Sequence, residues 1–265
     1  MKTLIFAKRN VTEMLRDPLL YVFCLGFPVA MILMFQGINA ATPVPTESFH
    51  ARSLIPGLIM FSFTFVMLAL SLLVSKDKST SFLRRLYTSP MKSSDFVLGY
   101  AVPGTVISLL QEMVCVLAGW GTSAIFGDAY FGVGEAVLLL LSQIPMLLIC
   151  VFLGILFGTL LNDKSAPAIT SVLITGAGIL GGAWMPLDTM GDLETFCKIL
   201  PFYPSVVIGR IITGAARTQY DPTKPAELYT WGAGSWLLLL PIGICLLGVI
   251  FLSFFAFGRM KKKDQ

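Results

Sequence analysis

Charge is what this chain of 265 residues has least of. Asp, Glu, Lys and Arg make up 13% of it, against 55% hydrophobic residues. Soluble domains carry about a quarter of their residues as charges, so a fully water-solvated surface is excluded. Mean hydropathy of +0.80 agrees. Histidine is nearly missing, and the lone His50 cannot build a metal site; it reads as a loop residue. The five cysteines, Cys24, Cys115, Cys150, Cys197 and Cys245, show no metal or redox spacing and read as small core residues. No Gly-x-x-x-x-Gly-Lys is present, nor any Gly-Lys pair, so the chain cannot cradle phosphates in the P-loop manner. Gly-x-Ser-x-Gly, a His/Glu metal helix and paired intramembrane aspartates are also missing, which leaves an intramembrane enzyme without a constellation to act with. The net charge of +4 lies mostly beside apolar runs and does not argue for nucleic acid.

Long apolar runs take the place of what is missing, and their lengths match the roughly 20 residues a bilayer demands. Residues 1–17 carry Leu4, Ala7, Val11, Met14 and Leu15 at helical spacing, with Lys2, Lys8, Arg9, Thr12, Glu13 and Arg16 between them. This is an amphipathic helix too charged to span and suited to the interface; a simple leader is the plainer reading. The first apolar run outlasts a signal-peptide core and lacks a cleavage pattern near Ala40 and Ala41, so it is expected to be retained. Spans are expected at 19–38, 53–75, 94–122, 136–161, 165–183 and 232–258. The third stretch, Phe96 to Gly127, is 32 residues long and broken in charge only by Glu112, so a tilt or a break near Pro103-Gly104 is expected. With both termini inside, 14 Lys and Arg lie on the inner side and 5 outside: Arg52, Lys198, Arg210, Arg217 and Lys224. The positive-inside bias therefore predicts six spans with both ends cytoplasmic.

Two segments between spans stand out. Residues 76–92, KDKSTSFLRRLYTSPMK, hold five basic residues and one acid, Asp77. Ser79 to Leu86 can make two helical turns with Phe82, Leu83 and Leu86 on one side and Arg84 and Arg85 off it; Pro90 ends them. The plain reading is a solvated basic loop, and the sharper one is a docking knob. Residues 184–227 are studded with apolar residues and cut by Pro186, Pro201 and Pro204 into pieces too short to cross. A pair of short helices dipping into the outer leaflet fits, with an external cap as the alternative.

Within the spans, Glu112 is the clear acid, a functional hypothesis by default: a proton or cation relay, a hydrogen-bonding post, or a residue near the headgroups. Gly154-x-x-x-Gly158 and Gly178-x-x-x-Gly182 are close-packing signals. Thr64, Met67 and Ser71 share one face of the second span, and Ser171 and Thr175 one face of the fifth. Together with Glu112 they are candidates for lining a substrate path, although span hydroxyls more often bond back to their own helix.

The order of these parts resembles the permease subunits of type-2 ABC exporters. It is carried by FAKRNVTEMLRDPLLYVFCLGFPV at Phe6–Val29, SFLRRLYTSPMKSSDFVLGY at Ser81–Tyr100 and GGAWMPLDTMGDLETFCKILPFYPSVVIGRIITG at Gly181–Gly214. The resemblance implies an all-α membrane protein of six transmembrane helices. It would have an N-terminal interfacial helix, a cytoplasmic coupling helix between spans two and three, and a re-entrant hairpin between spans five and six. It implies a half-transporter in the cell membrane, paired with a second permease copy or a related permease and driven by a separate ATP-binding-cassette ATPase subunit. ATP and Mg would belong to that partner; this chain would hold no cofactor. Ser79, Phe82, Leu83, Arg84, Arg85 and Leu86 would couple to the ATPase, as would Lys8 and Arg9 of the connecting helix. Trp184, Pro186, Pro201, Tyr203 and Pro204 would form an external gate. The family's knob often carries more acid than the single Asp77, which bears on which ATPase charges it meets. Drugs, lipids, lipid-linked sugars and hydrophobic peptides suit the spans equally. A self-sufficient secondary transporter or channel is the rival from another class; it would need intramembrane charge pairs or broken helices in matching halves.

Overall fold

A computed structural model describes residues 2–43, 46–80, 82–88, 91–129, 131–184, 187–188, 190–217 and 227–264. Among them the chain is helical, with a single bridge between Ala216 and Leu228 and no named strand. In order the helices are α1 (Lys2–Leu15), α2 (Pro18–Leu20), α3 (Phe27–Ala41), α4 (Ala51–Ser79), α5 (Phe82–Tyr87), α6 (Ser93–Phe126), α7 (Val133–Leu160), α8 (Ala166–Leu180), α9 (Asp192–Cys197), α10 (Phe202–Thr213) and α11 (Leu239–Asp264). A π-helical turn, Tyr21–Gly26, joins α2 to α3, and a 3-10 turn, Ser235–Leu238, leads into α11.

Five stretches are long and apolar enough to cross a membrane: Tyr21–Ala41, Ala51–Ser79, Ser93–Phe126, Val133–Leu160 and Ser235–Lys262. The chain is a multi-pass membrane protein. The segment expected as a fifth crossing, 165–183, holds the 15-residue α8, about 22 Å of helix and shorter than the hydrocarbon core. Alongside α4 it nevertheless runs far. A Cβ on Gly178 would touch Phe61, Thr170 lies 3.4 Å from Ser71, and the backbone of Ala183 crosses Gly57.

α4 is the centre of the bundle, with 83% of its apolar window buried against α6, α7, α8 and α10. Its contact with α7 explains the first small-residue pair. A Cβ on Gly154 would lie 2.6 Å from the Met67 oxygen, and one on Gly158 2.6 Å from Val74 Cβ, so only glycine lets these backbones meet. α11 is the opposite case: Ile244, Leu247, Phe251 and Phe255 are exposed along one stripe, as a lipid-facing helix requires.

α6 does not break at Pro103; one helix runs through it. Proline lacks the N–H that would bond the carbonyl of Gly99, and the buried Asn10 amide donates to that oxygen at 3.1 Å instead. Pro56 frees the Arg52 carbonyl of α4 in the same way, and the Thr213 hydroxyl donates to it at 2.6 Å. Each proline therefore creates a tie-point for another element.

These ties define two ends. At one, called here the basic end, α1 meets the last turn of α4, α5 and the start of α6, and Lys261 of α11 donates to the Met91 carbonyl. Lys78 donates to the carbonyls of Thr159 and Leu161 there. At the far end lie the α3–α4 link, the α6–α7 link, α9 and α10.

Candidate functional site

The basic end is organised around Asp77, on the last turn of α4. Its side chain is 2% exposed. Arg9 of α1 reaches both carboxylate oxygens, with Nη1 2.6 Å from Oδ2 and Nη2 3.0 Å from Oδ1, and Tyr100 of α6 donates its hydroxyl to Oδ2 at 2.7 Å. A paired fork of this kind fixes orientation as well as charge. Arg9 also bonds the Asn10 side-chain oxygen and pairs with Glu13, and Glu13 meets Lys76 at 3.3 Å. Burial pushes the Arg9 guanidinium toward deprotonation, but its bonds to Asp77 more than reverse this and hold it above its ordinary value.

An aromatic cluster lies beneath the charges. Phe6 meets Phe96 and Tyr100 edge-on, with centroids 5.6 and 5.0 Å apart, and Phe82 stacks on it at 6.5 Å. Gly99 makes room: a Cβ there would sit 2.3 Å from the Phe6 ring. The Arg9 guanidinium also lies over the Phe82 ring, 4.3 Å from its centroid, a cation–π contact. Thr3 donates to Asp95, which in turn accepts the Lys92 N–H and caps α6. Three segments far apart in sequence, α1, the α4–α5 corner and the start of α6, are thereby joined at several points.

Residues 37–257 match the profile of the ABC-2 family transporter proteins, most of the chain's length. The chain belongs to the ABC-2 transporter family. That membership makes it the membrane-spanning transport subunit of an ABC transporter, a role without its own hydrolytic chemistry. It is also similar to the "Putative transport permease YvfS" of Bacillus subtilis (strain 168), 22% identical over 203 residues that cover 75% of this chain and 81% of that one.

On this ABC-2 chain the expected coupling residues divide. Leu83 is 1% exposed and turned into the core, and Phe82 is half-buried against Phe6 and Arg9. Leu86 is half-buried against the same core. Ser79, Arg85 and Lys8 are exposed, and the Arg84 side chain lies outside the described residues. The surface left to a partner is thus more polar and more basic than the helical spacing suggested. α1 is turned differently as well. Phe6, Ala7, Asn10 and Met14 face inward, while Leu4 and Ile5 are 72% and 70% exposed.

The six residues expected along a substrate path do not converge. Thr64, Met67 and Ser71 are buried in the packing of α4 against α7 and α8, with the Thr64 hydroxyl bonded back to the Phe61 carbonyl. Ser171 and Thr175 lie exposed on the opposite face of α8, Thr175 donating to the Ser171 carbonyl at 3.1 Å. Glu112 is fully buried on α6 and makes no hydrogen bond.

Of the expected gate residues, Pro186 lies outside the described residues. Trp184 stacks on Phe35 and meets Phe61 edge-on at 4.7 Å. Pro201 and Pro204 are buried, and the Tyr203 hydroxyl lies 3.2 Å from Asp188 and 3.1 Å from Glu194. α10 is pinned firmly. The fully buried Arg210 donates to the carbonyls of Ser53 (3.1 Å) and Gly182 (2.8 Å), and Gln143 and Ser205 exchange two hydrogen bonds. Sequence reasoning missed Asp77, Tyr100, Arg210 and Gln143 as organisers. Gln143, a strong polar group in mid-span, was the signal available.

Proposed function

We propose that this chain is one half of an ATP-driven exporter in the cell membrane. It would cross six times with both termini cytoplasmic, form the path together with a second permease, and receive its power stroke at the basic end from an ATP-binding-cassette ATPase that supplies ATP and Mg. The observation that carries this reading is the joining of α1, α4 and α6 through Arg9, Asp77, Tyr100 and Phe6, with α5 tied to α1 by Phe82 against Phe6 and Arg9. A push on the exposed turn around Arg85 would move these helices as one body instead of being lost in a loose loop. Support for six crossings comes from the ties at the ends. The start of α1 and the last turns of α11 both lie at the basic end, as an even number of crossings would require, and α8 follows α4 from Ser71 to Gly57.

An open groove of about 530 Å³ at the basic end suits an amphipathic cargo. Leu20, Leu72 and Leu73 line it beside Glu13, Arg16 and Lys76. Ser171 and Thr175 of α8 would face the path where the second permease sits. Trp184 and the pinned α10 would close its outer side, with movement confined to the segments around them.

The test is co-purification with the ATPase. Arg85→Glu together with Ser79→Asp should cut recovery of the complex by about tenfold and slow ATP-dependent export, because rim charges steer such contacts. Lys164→Glu, a charge reversal at the same end outside the knob, should change neither. Undiminished complex and export in the knob variant would refute the docking role, and vectorial transport by the purified permease alone would refute the exporter reading.

A further inference from the structure

Glu112 is the residue that this reading leaves unused, and it is not isolated. Leaving aside Arg52 and Tyr87, which have other interactions, the buried side-chain atoms without a hydrogen-bond partner among the described residues lie on α3 and α6. They are the whole amide of Gln36, the hydroxyls of Ser108 and Ser123, the Gln111 side-chain oxygen and both oxygens of Glu112. Gln36 is 2% exposed, Ser123 2%, and Ser108 and Glu112 are fully buried. At 3.6 residues per turn, Ser108, Glu112 and Ser123 fall within a stripe of α6 about 60° wide. α6 runs from the basic end to the far end and α3 from mid-bundle, where Phe27 meets Phe61 and Phe65, to the far end; Gly37 lies against the Phe126 ring, which sets Gln36 near the level of Ser123. There the seam meets a cavity of about 150 Å³ at the far end, lined by Gln36, Asn39, His50, Phe126 and Asp128.

We propose that the α3–α6 seam is a narrow water path along which Glu112 exchanges protons with the solution at the far end of the bundle. Buried polar groups are kept where they have partners, and a file of water supplies several at once. The exchange is a simple transfer: the Glu112 carboxyl and one water give a carboxylate and a hydronium ion. The proton then passes along waters bonded to Ser123 and Gln36 toward the mouth. No charged residue of α3, of α4 between Ser53 and Ser75, or of α7 between Ala136 and Leu160 faces Glu112. The thiol of Cys115, three residues on, is its titratable neighbour. His50, Asp128 and Glu47 are the charged groups at the mouth. The inference needs no ATPase and stands apart from the exporter reading.

Single cysteines test it, placed in a chain whose five native cysteines are replaced by serine and assayed in cells and in inverted vesicles. Glu47→Cys and Arg85→Cys mark the two ends. Silver ion, small enough for a water file, should block Ser123→Cys and Ser108→Cys from the side that reaches Glu47→Cys. The rate should be on the order of tenfold or more above that of Leu117→Cys on the lipid-facing stripe, because only a hydrated thiol ionises readily. Adding Gln36→Phe should abolish the reaction at position 108. Cysteines at 108 and 123 as inert as the one at 117, or reached only from the side of Arg85→Cys, would overturn the proposal. If the cysteine-free chain does not assemble, the native chain is treated from each side with a water-soluble carbodiimide. Modification of Glu112 from the far side, suppressed by Gln36→Phe, is expected; an unmodified Glu112 would overturn the proposal equally.

Discussion

Asp77 stands in the sequence between Lys76 and Lys78, where it reads as one charge of a solvated basic loop; in the fold its two oxygens hold Arg9 and Tyr100. Removing one partner of a buried pair leaves the other charge uncompensated. Arg9→Met should therefore destabilise the protein by about 3 kcal/mol, the low end for such pairs because Arg9 is partly exposed. Asp77→Asn should cost less, since the amide still accepts from Tyr100. The double variant Arg9→Met with Asp77→Leu should recover most of the loss, a coupling that a thermal melt in detergent on all the variants would measure. The same residues show what the sequence could and could not tell. Helical spacing placed Phe82 and Leu83 on one apolar face correctly. It could not tell whether that face met a partner or this chain's own Phe6, because that depends on contacts 76 residues apart in sequence.

Helix existence was legible because long uncharged runs admit few other structures, and the described helices carry those runs. Helix ends and links were less so, because their ties are single hydrogen bonds between distant residues. The far end gives an example. His50 read as an ordinary loop residue, yet its Nδ1 lies 2.6 Å from Asp128, which also accepts the Ala51 N–H at 2.8 Å, so the α3–α4 and α6–α7 links are clasped together. The bond to Asp128 raises His50 above its ordinary 6.5, against the opposing effect of burial. Its stabilising share is whole below 6.5 and is lost as pH rises through the raised value. Burial pushes Asp128 up, but bonds from His50 and from the N–H groups of Ala51 and Ala129 hold it below its ordinary 3.8. Its share is whole above 3.8 and is lost as pH falls through the lowered value. The clasp is thus strongest between those two values. A partly exposed pair of this kind is worth about 1 kcal/mol or less, so the melting temperature should fall by about 2 °C as pH rises from about 6 to about 8. His50→Asn should remove that slope, and a slope unchanged in the variant would show that the clasp contributes nothing.

At the scale of the whole molecule the proposal of six crossings rests on parity. Five long apolar helices alone would leave the termini on opposite sides of the membrane. Yet Thr3 bonds Asp95, and Lys261 bonds the Met91 carbonyl, so the start of α1 and the last turns of α11 sit against the same short corner of the chain. The proposed topology reconciles the two facts by letting 165–183, whose α8 follows α4 across the bundle, also carry the chain over. The uncharged run at 165–183 marks this crossing in the sequence, but α8 is only 15 residues long and is held by packing, with Thr170 and Gly178 against α4, and not by its own apolar length. Reporter fusions give the decisive measurement. A cytoplasm-active reporter joined after Asp163, between α7 and α8, and another joined after Gln265 should both be active, while a periplasm-active reporter should be active only after Asp128 and after Trp231. Activity of the cytoplasmic reporter after Trp231 would mean that α8 turns back without crossing. The even count would then fail, and with it the proposed docking of an ATPase at the basic end.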